Sequence, residues 1–579
     1  MYNKNVKSEK KNSKTLRSLV LGLSLIIAGA MCTPLSAQTH PALGGGTGTS
    51  TDPYQISDTS HLRQLADFVN AGKDNGAATK GVYYIVINDL DLSAYAAGYG
   101  WRPIGYYNAT YYTPNDTSYF KGNFNGNGKV ITNLKINRPN GDYQGLFGAT
   151  SGATIENLGI ENCDIVGREL VGGLVGYSLN NSTISNCYVT GNISGTGRLI
   201  GGLVGINSSS TISNCYAAGI VSGQDHVGGL VGESSNYSTI SNCYATGNVS
   251  GTNDYSGTGG LVGDNFKSSI FNCYATGNVS GTIARAGGLV GNAVSYSTIS
   301  NCYATGNVSG TMYVGGLVGL SSDVPISNCY ATGNVSGTMY VGGLAGWNDE
   351  IGDYMISNCY ATGNVRGEDY VSGLVGDKLS SSAVKNCVAA NDSVVSTTNT
   401  TNISRISTDD ANLLNNYALS TMVVINSDGN VPITSNLNGV DGMSKSRTDL
   451  QSFTFYATAG NWNTAAWDIN APNGIWDICD GKRLPFLRWQ GINCGNDGVV
   501  PITATPEISI YPNPAKDELR IECTSEQVNK IEVFDLSGKT LMSQMSNPSQ
   551  INVSHLASGI YFLKIQTDKG AVIKKFVKE

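Results

Sequence analysis

Charged residues and helix-forming residues are both scarce in this chain. Only 14% of its 579 residues are charged, whereas glycine occurs 73 times. This mixture, rich also in Ser, Thr, Asn and Tyr, has too few helix formers and too many turn residues for an α-helical protein. The 43 Asp and Glu outnumber the 36 Lys and Arg and give a net charge of −7. Nucleic acid and anionic lipid surfaces are therefore not expected partners.

The motifs that mark common active sites are also absent from the sequence. It has no Gly-x-Ser-x-Gly elbow, phosphate-binding loop, Gly-x-Gly-x-x-Gly or Cys-x-x-Cys pair. Its repeat region has one histidine, His226, and carboxylates that form no recurring pair: Asp225, Glu233, Asp254, Asp264 and Glu368. Glycan cleavage needs a positioned base or two facing carboxylates. We therefore expect no catalysis, cofactor or metal. A polysaccharide-degrading lyase or hydrolase is the alternative, because a solenoid can assemble a site from separate coils.

The one long apolar run, Leu19 to Ala30, lies near the N-terminus. It follows six basic residues, Lys4, Lys7, Lys10, Lys11, Lys14 and Arg17, and precedes Leu35-Ser36-Ala37. This order is typical of a secretory signal, and the run is too short to span a membrane comfortably. The sequence predicts cleavage after Ala37, which would shift the net charge to −12.

Between Cys163 and Cys387 one motif recurs about every 28 residues. One copy reads Thr298-Ile-Ser-Asn-Cys-Tyr-Ala-Thr-Gly-Asn-Val-Ser-Gly-Thr-Met-Tyr-Val-Gly-Gly-Leu-Val-Gly319. Such a period indicates stacked units that cannot bury their apolar faces alone. Ile299 and Cys302 both face inward only if the chain bends at Asn301, a residue type that tolerates left-handed geometry. The pattern predicts an all-β parallel β-helix with three strands per turn and a ladder of stacked asparagines.

Nine of the thirteen cysteines fall, by their sequence context, at one repeat position: Cys163, Cys187, Cys215, Cys243, Cys273, Cys302, Cys329, Cys359 and Cys387. Neighbouring rungs lie about 4.8 Å apart, whereas a disulfide needs Cβ atoms about 3.8 Å apart. We therefore expect a buried column of free thiols, with bonding between adjacent coils as the alternative. Cys479 and Cys494 lie outside this column and are the candidate disulfide.

Outward tyrosines follow most of these cysteines: Tyr188, Tyr216, Tyr244, Tyr274, Tyr303, Tyr330 and Tyr360. They can stack on one another across the rungs or form a carbohydrate-binding face. A ligand is expected instead at the loops before Gly-Gly-Leu, where the copies differ. The candidate binding residues there are Asp225, His226, Tyr255, Arg285, Tyr313, Tyr340 and Tyr370. Neutral variation in exposed loops is the alternative.

At Gly-Gly-Leu-Val-Gly the chain resembles the GLUG-motif repeat of bacterial surface proteins. Copies start at Gly172, Gly201, Gly228, Gly259, Gly287, Gly315, Gly342 and Ser372, with a divergent copy at Gly145. The flanking segments also look like those of such proteins, so the resemblance covers most of residues 47–490. It implies a solenoid and little about function. Similar repeats accompany a zinc metallopeptidase that cuts immunoglobulin A, but no histidine here begins His-Glu-x-x-His, so that activity is not expected.

The C-terminus resembles the type A sorting domain of the type IX secretion system. The resemblance rests on Ile508–Ala515, Ile531–Gly538, Leu556–Ile565 and Lys574–Lys578. These strands, separated by Pro and Gly turns, predict a small antiparallel β-sandwich. The family implies export across the outer membrane by the type IX machinery, removal of this domain, and attachment to surface lipopolysaccharide.

These features divide the chain into six predicted segments: a signal peptide (1–37), an N-terminal cap with the first coils (38–144), the GLUG-repeat β-helix (145–390), terminal coils with a Trp-rich cap (391–494), a linker (495–506) and the sorting domain (507–579). Trp462, Trp467, Trp476 and Trp489 are expected to plug the open end of the solenoid, because an uncapped stack exposes strand edges. A sugar-binding aromatic patch is the alternative for these tryptophans.

The sequence as a whole predicts a non-catalytic protein exported to the cell surface. Its rod would serve adhesion, or would bind a host or matrix glycan or protein. A purely structural spacer is a further alternative, and no nucleic-acid partner is expected.

Overall fold

The computed structural model describes residues 40–41, 43–72, 77–107, 117–252, 256–282, 285–349, 355–462, 467–469, 473–494, 508–523, 528–534, 540–545, 549–567 and 570–579. They belong to two compact units, one ending at Gly491 and the other spanning Ile492–Glu579. The first unit is a parallel β-solenoid of about 13 coils with about 29 residues each, which confirms the predicted fold class. Within the described ranges, the helices are too short or too polar to cross a membrane.

The coils stack into three parallel sheets, but most coils supply five short strands rather than the predicted three. One nine-stranded sheet follows the Gly-Leu-x-Gly motif: Phe147–Ser151, Val175–Leu179, Val204–Ser208, Val231–Ser235, Val262–Phe266, Val290–Val294, Val318–Ser322, Ala345–Asp349 and Val375–Lys378. A second precedes the motif: Val171–Gly172, Arg198–Gly201, Asp225–Gly228, Thr258–Gly259, Ala286–Gly287, Met312–Gly315, Met339–Gly342, Asp369–Ser372 and Ile403–Ser404.

The third sheet bends twice within each coil, so that three strand columns share it. The first column comprises Thr183–Ser185, Thr211–Ser213, Thr239–Ser241, Ser269–Phe271, Thr298–Ser300, Ile326–Ser327, Met355–Ser357, Ala383–Lys385 and Leu413–Leu414. The second comprises Tyr188–Gly195, Tyr216–Ala218, Tyr244–Ala245, Tyr274–Ala275, Tyr303–Ala304, Tyr330–Ala331, Tyr360–Ala361, Val388–Ala389, Tyr417–Leu419 and Met443–Lys445. The third comprises Val221–Gly223, Val249–Gly251, Val279–Gly281, Val308–Ser309, Val335–Ser336, Val365–Gly367, Ser393–Ser396 and Val423–Asn426, next to the hairpin strand Gly429–Asn430.

The first bend lies at the repeat asparagine, as predicted. Asn301 has φ 55°, and the equivalent asparagines of the other repeats are also left-handed. Their amides bond along the stack, for example from Asn272 Nδ2 to Asn242 Oδ1 at 3.2 Å and from Asn301 Nδ2 to Asn272 Oδ1 at 3.3 Å. The bend turns both Ile299 and Cys302 into the core, where each is fully buried.

The repeat cysteines are free and buried, but the prediction that Cys163 belongs to their column is wrong. The strand register pairs Tyr188 with Gly159 and Gly191 with Cys163, so the position before Tyr188 is matched by Leu158 rather than Cys163. The column therefore runs from Cys187 to Cys387. Its sulfur atoms also accept backbone hydrogen bonds, such as Cys273 N–H to Cys302 Sγ at 3.4 Å, a role that a purely apolar side chain could not fill.

The motif glycines let successive coils approach closely. A Cβ atom added to Gly288 would lie 2.0 Å from the carbonyl oxygen of Gly316 in the next coil. Any larger residue here would force the two coils apart.

The N-terminal end of the solenoid is covered by the α-helix Thr59–Ala71, capped by Asp58, which buries Leu62, Leu65 and Val69 against the core. The first strands are Tyr54–Ile56, Tyr83–Val86, Leu90–Asp91, Tyr106–Tyr107, Thr117–Ser118, Asn123–Thr132, Lys135–Asn137 and Thr154–Gly167, with 3-10 turns at Ala77–Thr79 and Leu92–Tyr95.

The Trp-rich segment (446–491) lies along the side of the solenoid, contrary to the prediction that its tryptophans plug the open end. Its elements are the helices Arg447–Leu450 and Phe453–Ala457, the 3-10 turns Ala459–Asn461 and Arg488–Gln490, and the strands Trp476–Asp477 and Phe486–Leu487. Trp476 packs on Tyr330 and Tyr360, and Trp489 packs on Tyr274 and Tyr303. The column of outward tyrosines gives this segment a continuous aromatic surface to bury.

The second unit contains two antiparallel sheets, as predicted for the sorting domain. One joins Ile508–Tyr511, Glu518–Cys523 and Gln550–Asn552, and the other joins Val528–Phe534, Thr540–Met545, Gly559–Thr567 and Gly570–Lys578. Their inner faces enclose a separate core that includes Leu519, Ile531, Leu563 and Phe576.

Candidate functional site

One backbone position recurs at the loop edge of the solenoid and carries unusual side chains. It lies two residues before the Gly-Gly-Leu-x-Gly motif, of which the copy at Gly145 has only one leading glycine and the copy at Ser372 has serine in place of the first, and we call its members the loop column. The left-handed members are Tyr143, Leu170, Leu199, His226, Tyr313, Tyr340 and Tyr370, with φ between 48° and 71°. Bulky residues in this conformation cost about 1–2 kcal/mol each. The stacked neighbours hold the conformation in place, so its side chains are presented in a fixed direction.

A second column lies beside the first and consists of the residue that follows each motif. These strand-column residues are in register from coil to coil: Tyr177, Ile206, Glu233, Asp264, Asn292, Leu320, Trp347 and Asp377. Side chains of the two columns touch, as in Tyr143 with Tyr177 and Tyr340 with Trp347. We call the two columns together the variable face, because they hold the residues that differ between coils.

One part of the variable face is charged. His226 Nδ1 lies 2.9 Å from Asp264 Oδ2 and 3.9 Å from Glu233 Oε2. Burial lowers the pKa of His226, but the opposing effects of Asp264, Glu233 and Asp225 outweigh it and leave the pKa raised. Asp264 also accepts the Gly257 N–H at 2.7 Å. The cluster therefore joins neighbouring coils, and the carboxylate of Asp264 is committed to that network.

The other part of the variable face is aromatic. Tyr340 stacks on Tyr313 and on Tyr370, with ring centroids 5.1 and 4.8 Å apart. Trp347 meets the Tyr340 ring almost perpendicularly at 4.9 Å, and the half-buried Met312 and Met339 precede two of the tyrosines. This stacking covers both faces of Tyr340 and one face each of Tyr313 and Tyr370, so a ligand meets mainly ring edges and hydroxyl groups.

The structure thus brings together some of the predicted binding residues and not others. Asp225 and His226 share the charged part, since the Ser256 hydroxyl donates to Asp225 at 2.8 Å and accepts the His226 N–H at 3.0 Å. Arg285 occupies the loop position of an intermediate coil, and Tyr255 lies outside the described residues. From the sequence, Glu233 and Asp264 were predicted to be carboxylates outside any recurring pair, and Trp347 was not identified as a candidate. Their shared place after Gly-Leu-x-Gly was the signal that could have identified them.

The outward tyrosines stack on one another from Tyr188 to Tyr360, with centroids 4.7–5.0 Å apart and planes within 7°. Tyr330 and Tyr360 are buried, and their hydroxyls bond to Gln490 and to Pro485 O at 2.7 Å each. Four of the seven tyrosines, Tyr274, Tyr303, Tyr330 and Tyr360, therefore form the docking surface of the Trp-rich segment.

A groove of about 410 Å³ runs along the third strand column and is lined by asparagine, serine and valine side chains together with Ile220. Each asparagine Oδ1 there accepts the backbone N–H of the asparagine in the next coil, as from Asn307 to Asn278 at 2.9 Å. Among the described residues no group of three or more His, Cys, Asp or Glu is arranged to hold a metal ion. Cys479 and Cys494 are both disulfide-bonded.

Known proteins share parts of this chain. A candidate Gly-rich membrane protein of Evansella cellulosilytica is 35% identical over 125 residues, which is 21% of this chain and 12% of that protein. Halomucin of Haloquadratum walsbyi is 34% identical over 128 residues, 21% of this chain and 1% of its own length. The chain thus spans only a small part of these relatives. A crystal structure of a candidate immunoglobulin A1 protease from Bacteroides ovatus is 20% identical, with 77% of this chain and 96% of that chain covered, at a TM-score of 0.28. A match at that score supports no conclusion here.

Two families match defined segments. The GLUG motif matches residues 167–194, 196–222, 223–250, 254–280, 284–309, 310–336 and 337–366. The secretion system C-terminal sorting domain matches residues 509–579. The chain therefore carries seven GLUG motifs on its solenoid and ends in a type IX sorting domain, which marks it as a protein secreted across the outer membrane to the cell surface.

Proposed function

We propose that the solenoid is a non-catalytic adhesion rod that binds a protein partner through the aromatic part of its variable face. The observation that carries this proposal is the gathering of Tyr313, Tyr340, Tyr370 and Trp347 on one face of an otherwise repetitive molecule. Tyr, Trp and Met are enriched at the centres of protein interfaces. A pyranose needs an open ring face, and stacking covers both faces of Tyr340 and one face each of Tyr313 and Tyr370.

The test compares two sets of tyrosines in the full-length secreted protein. One variant changes Tyr313, Tyr340 and Tyr370 to serine, and a matched control changes the loop tyrosines Tyr237 and Tyr296, which are 82% and 64% exposed. Both are applied to purified extracellular matrix proteins and to a glycan array, with circular dichroism confirming the fold. The proposal expects binding to at least one protein, weakened at least about tenfold in the first variant and unchanged in the control.

Three results would overturn it. Binding to glycans alone would favour carbohydrate recognition. Equal binding by both variants would mean that the binding site lies elsewhere on the protein, and absence of all binding would favour a structural spacer. Trp347→Ala removes the perpendicular ring and leaves the tyrosine stack in place. A loss of partner binding in this variant too would show that the binding surface, rather than misfolding of the tyrosine variant, is responsible.

A carbohydrate-active enzyme is the second candidate, favoured by the approach of Glu233 and Asp264 to His226. Turnover of acidic polysaccharides that disappears in His226→Ala would support it. The committed hydrogen bonds of Asp264 argue against a free general base.

Anchoring is proposed to follow export. The sorting domain would be removed and the new C-terminus joined to surface lipopolysaccharide, as the family implies. Cell-surface material should then lack residues 507–579 and migrate as a heterogeneous, lipopolysaccharide-sized species. A discrete, full-length band on the surface would contradict this.

A further inference from the structure

A small cleft at the N-terminal end of the solenoid contains two arginines without carboxylate partners. The cleft has a volume of about 220 Å³ and is lined by Asn70, Arg102, Pro103, Gly105, Tyr106, Arg138, Asp142, Tyr143 and Gln144. Neither Arg102 nor Arg138 forms an ion pair with a carboxylate of the described residues. Nearby Arg63 and Arg168 do pair, with Asp67 and Asp142.

The neighbours of Arg138 satisfy its guanidinium group only in part. Its Nε is buried and has no hydrogen-bond partner among the described residues, and its guanidinium lies over the Tyr99 ring, 5.3 Å from the centroid. Burial, together with the charge of Arg102, lowers the pKa of Arg138. Arg138 is half-buried whereas Arg102 is exposed, and a bound anion would offset the repulsion between the two positive charges.

A second unsatisfied group in the cleft is an acceptor. Gln144 is only 4% exposed, and its Oε1 has no donor within the described part of the chain. Its Nε2 is engaged by the carbonyl oxygen of Asp142. A ligand that filled the cleft would therefore meet guanidinium donors and one amide acceptor suited to a hydroxyl group.

The walls of the cleft are fixed before any ligand arrives. Asn70 Nδ2 donates to Pro103 O, and Asn70 Oδ1 accepts the Gly105 N–H, each at 2.9 Å. Arg138 follows the strand Lys135–Asn137 and its N–H donates to Val166 O at 2.8 Å. Such preorganisation lowers the entropic cost of binding.

We propose that this cleft binds an acidic sugar, whose single carboxylate or sulfate group is held by Arg102 and Arg138 and whose hydroxyl donates to Gln144. Guanidinium groups suit both anions, because their paired N–H donors match two oxygens of either group. The cleft volume is about that of one monosaccharide unit. Because the protein is acidic overall, the two arginines form a local positive site on a negatively charged molecule. This site stands whether or not the aromatic part of the variable face binds a partner.

Calorimetric titration of the full-length protein with glucuronate, glucose 6-sulfate and glucose tests the proposal. Saturable binding of glucuronate or of the sulfate ester is expected, with glucose at least about tenfold weaker. A preference for glucuronate would indicate uronic-acid ligands, and a preference for the sulfate ester would indicate sulfated ones.

Charge variants separate the site from general electrostatics. Arg102→Gln should raise the Kd for the anionic sugar at least about tenfold. Arg198→Gln, which removes an exposed arginine paired with Glu169 in a neighbouring coil, should change it less than about twofold. Asp142→Asn should lower the Kd, because it removes a negative charge from the lining. Equal binding of glucose, equal effects of the two arginine variants, or no binding of either anion would overturn the proposal. The variant lacking Tyr313, Tyr340 and Tyr370 should keep this binding.

Discussion

Replacing Trp476 with alanine tests whether the Trp-rich segment is docked along the side of the solenoid. Trp476 is fully buried, contacts the rings of Tyr330, Tyr360 and Trp467, and donates its Nε1–H to Asn328 Oδ1 at 3.2 Å. Removing a fully buried tryptophan costs about 3–5 kcal/mol. The same change at Trp489, which is 38% exposed, should cost about 2 kcal/mol because less apolar area is lost.

Urea unfolding followed by tryptophan fluorescence measures this difference. Four of the six tryptophans lie in the Trp-rich segment, so fluorescence reports mainly on it, while circular dichroism reports on the solenoid. Contacts in a repeat protein are local, and the segment can therefore unfold at lower urea than the coils. Trp476→Ala should shift the fluorescence transition clearly further than Trp489→Ala, with the circular dichroism transition almost unmoved. If the two variants were equally stable by fluorescence, lateral docking through Trp476 would be refuted.

Four further predictions follow from the described residues. The nine free cysteines should resist iodoacetamide in the native protein and react only in urea, because all nine are buried away from the reagent and burial also raises the pKa of Cys163 to about 12; mass spectrometry that finds them labelled in native protein would contradict this. His226→Gln should destabilise the protein more at about pH 5.5 than at about pH 9, because a raised histidine pKa stabilises the fold below its unfolded value near 6.5 and this contribution fades as pH rises through the folded pKa; thermal unfolding with a pH-independent difference would exclude that role. Asn301→Ala should cost about 1–2 kcal/mol and Asn301→Gly less, since φ 55° is strained only with a Cβ atom; equal losses in urea unfolding would mean that the amide ladder matters more than the bend. Deleting residues 507–579 should trap the protein in the periplasm, and surface immunolabelling of the truncated protein would show otherwise.

The local geometry of a coil was readable from its own residues. The spacing of Ile299 and Cys302 required a bend at Asn301, and Asn301 is left-handed as expected. The number of strands was not, because Gly247 and its equivalents divide one predicted strand in two, and the residues that precede each motif form a further strand in a sheet of their own. Cys163 shows a related limit: its Asn-Cys context matches the repeat, yet the register places it at the next corner.

The candidate sites depended still more on long-range contacts. Glu233, Asp264 and Trp347 each follow a GLUG motif directly, and this shared position identifies them once the coils are stacked. The residues at this position are 27 to 31 positions apart along the chain, and only the register of the coils makes them neighbours. The arginine cleft is harder still to predict from the sequence, because Arg102 and Arg138 belong to different coils of the irregular N-terminal region and no repeat relates them.

The sequence by itself determined the parallel solenoid, the asparagine bend, the free thiols and the export signal at the C-terminus, because a repeated pattern and a set of local motifs each depend on residues close together in the chain. Only the tertiary structure decided that the tyrosine column is covered from Tyr274 to Tyr360 by the Trp-rich segment, that the variable residues form one face, and that two arginines share a cleft. Those features arise from the folding of distant segments onto one another, and pairing across such distances depends on coil register and packing that no single repeat encodes.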